Sequence, residues 1–443
     1  MTSVRNEQSQ CCKEWRMPVL WFGNNKLHLI VLGLMLLLAA CQPAPVSTEA
    51  PTTQSQVPAS PIPSTSTPTE PVAALESTMQ GEIRIWLDWD VHELESLQRI
   101  FVAFQDKNPG IKFHVTYYAT EDLLPAIRAA SQNEGAPTVL LGPASLGLTL
   151  WEEGYLRNLI DRANLDLQGL IHPLAWNQVD YQGARIGMPL EMHGVVFYRN
   201  QALVAAPASS VGDLEGATFD FRFNLSASQM HTCNGAFFNP SGSFEFEDEP
   251  VTCWLNLMNV VREKNQVVFN SDEDTRAFVE GRSAWLIEET LHATLLQQSL
   301  EGGNLVVDPW PITSIAGERL TGFVWTENAY LLDRSDPLDL EASWAFIRFL
   351  LTPESQITLS DPDAAGHLPV LLNLEVEDVL QTQMMAAIYS GVPYPLRLDM
   401  ELYKEPIESA LEAVVLKGAT PELAIEMARV KIDQALTGGT DGE

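Results

Sequence analysis

Basic residues are scarce. The 443-residue chain has 26 Lys and Arg against 58 Asp and Glu, a net charge of −32. Such a surface repels nucleic acid and anionic lipid, and no basic cluster offers a local site for a phosphate-rich substrate. No Gly-x-Ser-x-Gly and no His-Glu-x-x-His occurs, so the nucleophile elbow and the zincin helix are not expected. No spacing encodes a glycosidase carboxylate pair. Long apolar runs are also missing: Leu29–Ala40 is about 12 residues, too short to cross a ~30 Å hydrocarbon core comfortably. Cysteines number five, at 11, 12, 41, 233 and 253. His231-Thr-Cys233 has no second Cys/His pair at ligand spacing. The expectation is a non-enzymatic protein without cofactor or metal, and nothing points to an oligomer.

What is present at the start has the order of a secretory signal. Lys26 precedes the apolar run, and Leu38-Ala39-Ala40-Cys41 closes it with small residues. That ending resembles a bacterial lipobox, which implies a signal peptide over 1–40 and a lipid on Cys41 that anchors the protein to a membrane on the extracytoplasmic side. An ordinary signal peptide or a short buried helix are the alternatives. Residues 42–78 are mostly Pro, Ser, Thr, Ala and Gln. They hold too little apolar surface to offset ordering entropy, and their prolines keep them extended, so 41–79 reads as a disordered tether.

The segment before Cys41 carries Arg5, Lys13, Arg16 and Lys26 against Glu7 and Glu14, which leaves the rest near −34. Cys11 and Cys12 would be lost with the signal. Cys233 and Cys253 are then an even pair in an oxidising compartment. A bridge between them closes a loop of about 21 residues, worth roughly 3 kcal/mol in the chain-entropy model; the alternative is two buried thiols.

About 360 residues remain for the body, natural for two lobes. Glu82–Leu87 alternates as a strand, broken by Asp88-Trp89-Asp90. Leu94, Leu97, Ile100, Phe101 and Phe104 recur at helical spacing until Asn108-Pro109-Gly110 stops them. A strand over Ile111–Tyr118, a helix over Glu121–Gln132 and a buried strand over Pro137–Leu141 follow. This βαβαβ run predicts a parallel sheet with right-handed crossovers.

Phe104-Gln-Asp-Lys-Asn-Pro-Gly-Ile-Lys-Phe-His-Val115, Ala136-Pro137-Thr138-Val139 and Leu150–Leu159 resemble the start of family 1 extracellular solute-binding proteins, the maltose-binding-protein-like sugar receptors of ABC importers. Tyr181–Asn200, Ala277–Trp285, Ser343–Gln356 and Leu416–Ala424 continue the likeness in order along the body. It implies an α/β fold of the two-lobed, type II periplasmic-binding-protein kind, each lobe a mostly parallel sheet flanked by helices. The lobes are expected as 80–192 with about 320–362, and about 193–319 with 363–437; 438–443 is a tail. It also implies a small-molecule solute, a mono- or oligosaccharide, and the transmembrane subunits of a permease as partners. Residues 224–254, with the cysteine pair and Glu245–Glu249, fit no family pattern and read as a loop-rich excursion.

Ligands of open α/β sheets sit beyond the carboxyl ends of strands. Asp88, Trp89, Asp90 and Ser145 occupy such ends. Asp88 and Asp90 are candidate hydroxyl acceptors or helix caps; Trp89 is a stacking platform or core. By resemblance, Glu191 is a ligand contact or a hinge salt bridge. Glu288 and Glu289 follow a strand where relatives carry a stacking Trp; Leu291 takes that place here. Two glutamates there favour a cationic solute such as a polyamine as an alternative. Trp325 can replace the lost ring. Tyr403 falls near the family's last stacking aromatic, or packs on Pro406. A sensory or adhesive lipoprotein that reuses the fold is a further alternative.

Overall fold

The computed structural model describes residues 79–130, 135–163, 165–239, 242–333 and 336–438. The signal, Cys41 and the tether lie outside them. The first elements are strand β1 (Gln80–Leu87), helix α1 (Val91–Lys107), β2 (Gly110–Tyr117), α2 (Thr120–Ala130), β3 (Val139–Pro143) and α3 (Ala144–Glu152). β1 lies between β2 and β3 and is parallel to both, with Ile85 opposite Val115 and Val139. Its side chains alternate: Ile83, Ile85 and Leu87 enter one core, while Trp86 joins Leu140 and Tyr330 on the other face. A sheet buried on both faces needs apolar residues at both phases of the strand, and β1 has them.

Strand β4 (Met188–Asn200) is the spine. All 13 of its residues are buried. The chain then forms β5 (Thr218–Asp220), α4 (Asp248–Lys264), β6 (Gln266–Val268), α5 (Glu273–Val279), β7 (Trp285–Glu289), β8 (Leu305–Asp308) and β9 (Phe323–Leu331). It closes with α6 (Pro337–Leu350), α7 (Pro353–Leu359), β10 (Leu368–Pro369), α8 (Val379–Ile388), β11 (Val392–Pro393), α9 (Glu401–Val415) and α10 (Pro421–Gly438). The nine-stranded sheet runs β8-β4-β9-β3-β1-β2, with β7 and β10 also on β4 and β11 on β9. β5 and β6 make a separate parallel pair.

β4 therefore serves two neighbourhoods. Its first half pairs with β9 and β10, its second with β7 and β8. The change-over is at Gly194 and Gly322. A Cβ on Gly194 would stand 2.4 Å from the Phe323 carbonyl oxygen, and one on Gly322 would stand 1.9 Å from that of Val195. Only glycine lets the two crossing strands approach so closely.

Two main cores result. One gathers α1, α6 and the flanks of the sheet around Phe104, Phe346 and Ile347, and continues through Leu286 and Val307 to Met384 and Ile388. The other packs Phe219–Phe223, Trp254, Leu257 and the α9–α10 hairpin around Ile407 and Ala428. Trp254 and Trp310 are 0% and 2% exposed.

The excursion at 224–254 is more ordered than its sequence suggests. Ala227–Cys233 is a 3-10 helix and α4 begins at Asp248. Its acidic start, Asp248 and Glu249, read as loop polarity in sequence, sits where a helix dipole favours negative charge. Cys233 and Cys253 form a disulfide, with Cα atoms 5.9 Å apart, that ties the 3-10 turn to α4.

Candidate functional site

Because strand side chains alternate, register decides which residues of β4 share a face. Glu191 stands opposite Glu327, and His193 opposite Trp325, on the β9 side. Val195 stands opposite Glu289 on β7. Steps of two from 191 to 195 thus put Glu191, His193, Trp325, Glu327 and Glu289 on one face. Glu288 stands opposite Val196, on the other.

Two adjoining cavities open over that face, and His193 and Leu291 line both. The first, about 370 Å³, is bounded by Glu93, Glu191, His367 and Gln381. The second, about 460 Å³, is bounded by Ser145, Glu289, Trp325, Glu327, Tyr394 and Lys404. Trp325 and Tyr394 meet edge-on at 5.9 Å, and Trp325 leans on His193 at 5.3 Å.

The floor of the first cavity is electrically dense. His367 Nε2 lies 2.9 Å from Glu93 Oε1, and its Nδ1 is in ionic contact with Glu191. His193 Nδ1 is 3.4 Å from the other Glu191 oxygen. Glu93 serves twice, since its second oxygen accepts from the Asp90 backbone N–H at 2.5 Å. Burial alone would lower the pKa of His367, yet the charges of Glu191 and Glu93 push it up to about 10. Burial would raise Glu191, but the attraction of His367 holds it below its ordinary value. Burial takes His193 down to about 4 against the pull of Glu191. Burial, then repulsion from Glu191 and Asp88, pushes Glu327 well above the carboxylate range.

Unmet hydrogen bonding concentrates here. Among the described residues, eleven buried side-chain atoms lack a hydrogen bond; Glu191 Oε2 and His367 Nδ1 are ion-paired with each other, and four more belong to Trp89, His193 and Glu327. Native proteins tolerate few such atoms, and these lie beside the cavities, within reach of a bound molecule.

The sequence-expected residues fall out unevenly. Glu191 is on the floor, as an ion-paired group 3% exposed. Glu289, Trp325 and Ser145 line the second cavity. Trp325 lies inside β9, which runs on to Leu331. Asp90 caps α1, accepting from the His92 and Glu93 N–H groups at 2.7 and 3.0 Å, and borders the first cavity. Asp88 accepts from Thr120 Oγ1 at 2.7 Å. Trp89 is 3% exposed and packs edge-on against His367 at 4.8 Å, so it is core under the floor rather than an open platform. Glu288 lies on the far face, 3.3 Å from His292 Nδ1. Tyr403 is 3% exposed in the second core, against Phe244 at 4.7 Å, and lines neither cavity.

Sequence reasoning passed over Glu93, His193, Glu327, His367 and Tyr394. The only signal available for two of them was the i, i+2 spacing of Glu191 and His193 and the i, i+2 spacing of Trp325 and Glu327 on recognisable strands.

The sequence profile of the bacterial extracellular solute-binding proteins matches residues 99–387. Among curated protein sequences none matches significantly. Similar solved structures include the maltose-binding periplasmic protein MalE of Listeria monocytogenes, in complex with maltose. It is 15% identical, with a TM-score of 0.69, over 81% of this chain and 98% of that one. The sugar-binding protein MalE of Xanthomonas citri is 15% identical, with a TM-score of 0.69, over 82% and 100%. The GacH receptor of Streptomyces glaucescens, solved unliganded and with acarbose, is 18% identical, with a TM-score of 0.64, over 81% and 99%. These likenesses establish the type II periplasmic-binding-protein fold.

Proposed function

The chain belongs to the bacterial extracellular solute-binding proteins, and from that premise we propose that it captures a carbohydrate in the groove over β4 and β9 and delivers it to the membrane subunits of an ABC importer. It is a binding protein of the extracytoplasmic space, not an enzyme. The observation that supports a sugar is the second cavity. Trp325 and Tyr394 offer ring surface for the apolar face of a pyranose, while Glu289, Glu327 and Asn224 offer hydroxyl partners around it. Delivery would use closure of lobe 80–192 with 320–362 onto lobe 193–319 with 363–437, about the Gly194–Gly322 crossing. Solute shifts that equilibrium by its differential affinity for the closed form. Lipid on Cys41 and the 41–79 tether would hold the body near the membrane. Among the described residues no helix is long and apolar enough to cross one.

A second reading is a cationic solute such as a polyamine. Glu289, which lines the second cavity, favours it. Thermal denaturation against mono- and oligosaccharides, polyamines and amino acids tests both. A ligand at a hundred times its dissociation constant adds about 2.7 kcal/mol, a midpoint shift of several degrees. A shift with one sugar set supports the carbohydrate reading. A shift with polyamines alone replaces it, and a flat panel with a cooperative melt overturns both.

A further inference from the structure

We propose that the floor of the first cavity is a binding site for one divalent first-row transition-metal ion, held by Glu93, Glu191 and His367 with His193 within reach.

Three separate segments converge there: Glu93 from the first turn of α1, Glu191 from β4, and His367 from the residue before β10. One ligand atom from each can be chosen so that all lie within 4.8 Å of one another. Donors about 2.0–2.2 Å from one tetrahedral ion stand roughly 3.3–3.6 Å apart, so the side chains would draw in by about 1 Å to close the set.

The second observation is independent of that cluster. His193 is 3% exposed, and both its ring nitrogens lack a hydrogen-bond partner. Its Nδ1 points at Glu191, 3.4 Å from Oε1. A buried imidazole normally donates from one nitrogen and accepts at the other. Here neither is used, and a neutral imidazole beside carboxylates is an available ligand. Glu191 Oε2 and His367 Nδ1 are an ion pair. An ion bound there would replace the proton that His367 shares with Glu93 and Glu191, and would use an unpartnered nitrogen of His193.

The charge balance has the right sign. Glu93 and Glu191 supply the negative charge that a divalent ion would neutralise once the His367 proton leaves. Donor type selects the ion: imidazole with carboxylate suits zinc and its first-row neighbours over magnesium or calcium, which take oxygen sets. The cavity gives access from solvent. Because Glu93 and Glu191 sit on different elements, the ion would clamp α1 to the crossing strand beneath the solute groove.

The test uses the untagged full chain, stripped with EDTA and titrated with zinc by calorimetry in the absence of solute. A parallel titration with cobalt(II) is followed by visible absorption. One ion per chain is expected, with d–d bands of a nitrogen/oxygen set. His367→Gln should weaken zinc binding about 100-fold and Glu93→Gln at least about tenfold. Glu93 is only partly buried, so E93Q keeps the test decisive if H367Q folds poorly. His114→Gln, on the exposed β2, should leave affinity unchanged. Absence of stoichiometric binding, wild-type affinity in E93Q and H367Q, or cobalt bands of thiolate ligation would overturn the proposal. Since no solute is present, this result and that of the solute panel fail independently.

Discussion

Two pairs of glutamates meet the same sheet in opposite ways. Glu288 and Glu289 are neighbours in sequence and part company in space: one faces Val196 and His292, the other the groove. Glu191 and Glu327 are far apart in sequence and stand directly opposite on one face. The strand period of two makes adjacency a poor guide and register the deciding quantity. Opposed carboxylates repel, and the floor answers with one raised pKa, at Glu327, and one ion-paired group, at Glu191.

The largest effect that would sharpen this comparison is Glu191→Gln. Removing a buried partner of His367 should cost about 3 kcal/mol in chemical denaturation. Glu288→Gln, whose partner His292 is half-exposed, should cost about 1 kcal/mol; equal losses in the two variants would break the contrast.

Next comes the far face. Asp274 is fully buried near Asp220 and Glu288, and burial pushes it up to about 6. A carboxyl whose folded pKa is raised above its unfolded value favours the fold while protonated. That advantage is lost as pH rises through about 6. Asp274→Asn does not ionise, so its stability relative to wild type should improve by about 2 kcal/mol between pH 4 and 7. A pH-independent difference would remove Asp274 from the argument.

For the groove itself, Glu289→Gln should reduce the solute-induced midpoint shift, while Glu288→Gln leaves it intact. A reduced shift in both would place Glu288 in the site. The smallest change is Tyr403→Phe. Its hydroxyl reaches Asp399 only at 3.4 Å, so stability should move by less than about 0.5 kcal/mol and the solute response not at all. A lost response would return Tyr403 to the groove.

Much of the frame was legible from the sequence. Ile83, Ile85 and Leu87, the stripe from Leu97 to Phe104 and the stop at Asn108 each follow from local periodicity, and the observed boundaries lie close to those expected. Cys233 and Cys253 were legible as an even pair. Of the candidate site, Glu289 and Trp325 could be picked from strand positions, and Glu191 from the family resemblance. His367 could not, because its role depends on β10 lying beside Met192 and Glu191, a long-range pairing with no local trace. Trp89 was ambiguous for a related reason: only the packing of His367 upon it turns a strand-end ring into core.

The double service of β4 also governs how the chain comes to be folded. β3 emerges early, yet its neighbour across the sheet is β9, with Leu141 paired to Ala329. β4 in turn waits for β7, β8, β9 and β10. Neither neighbourhood can close while the chain is still being delivered. Distant pairings of this kind are slow to form, so completion of the sheet has to wait for the last strands of the chain.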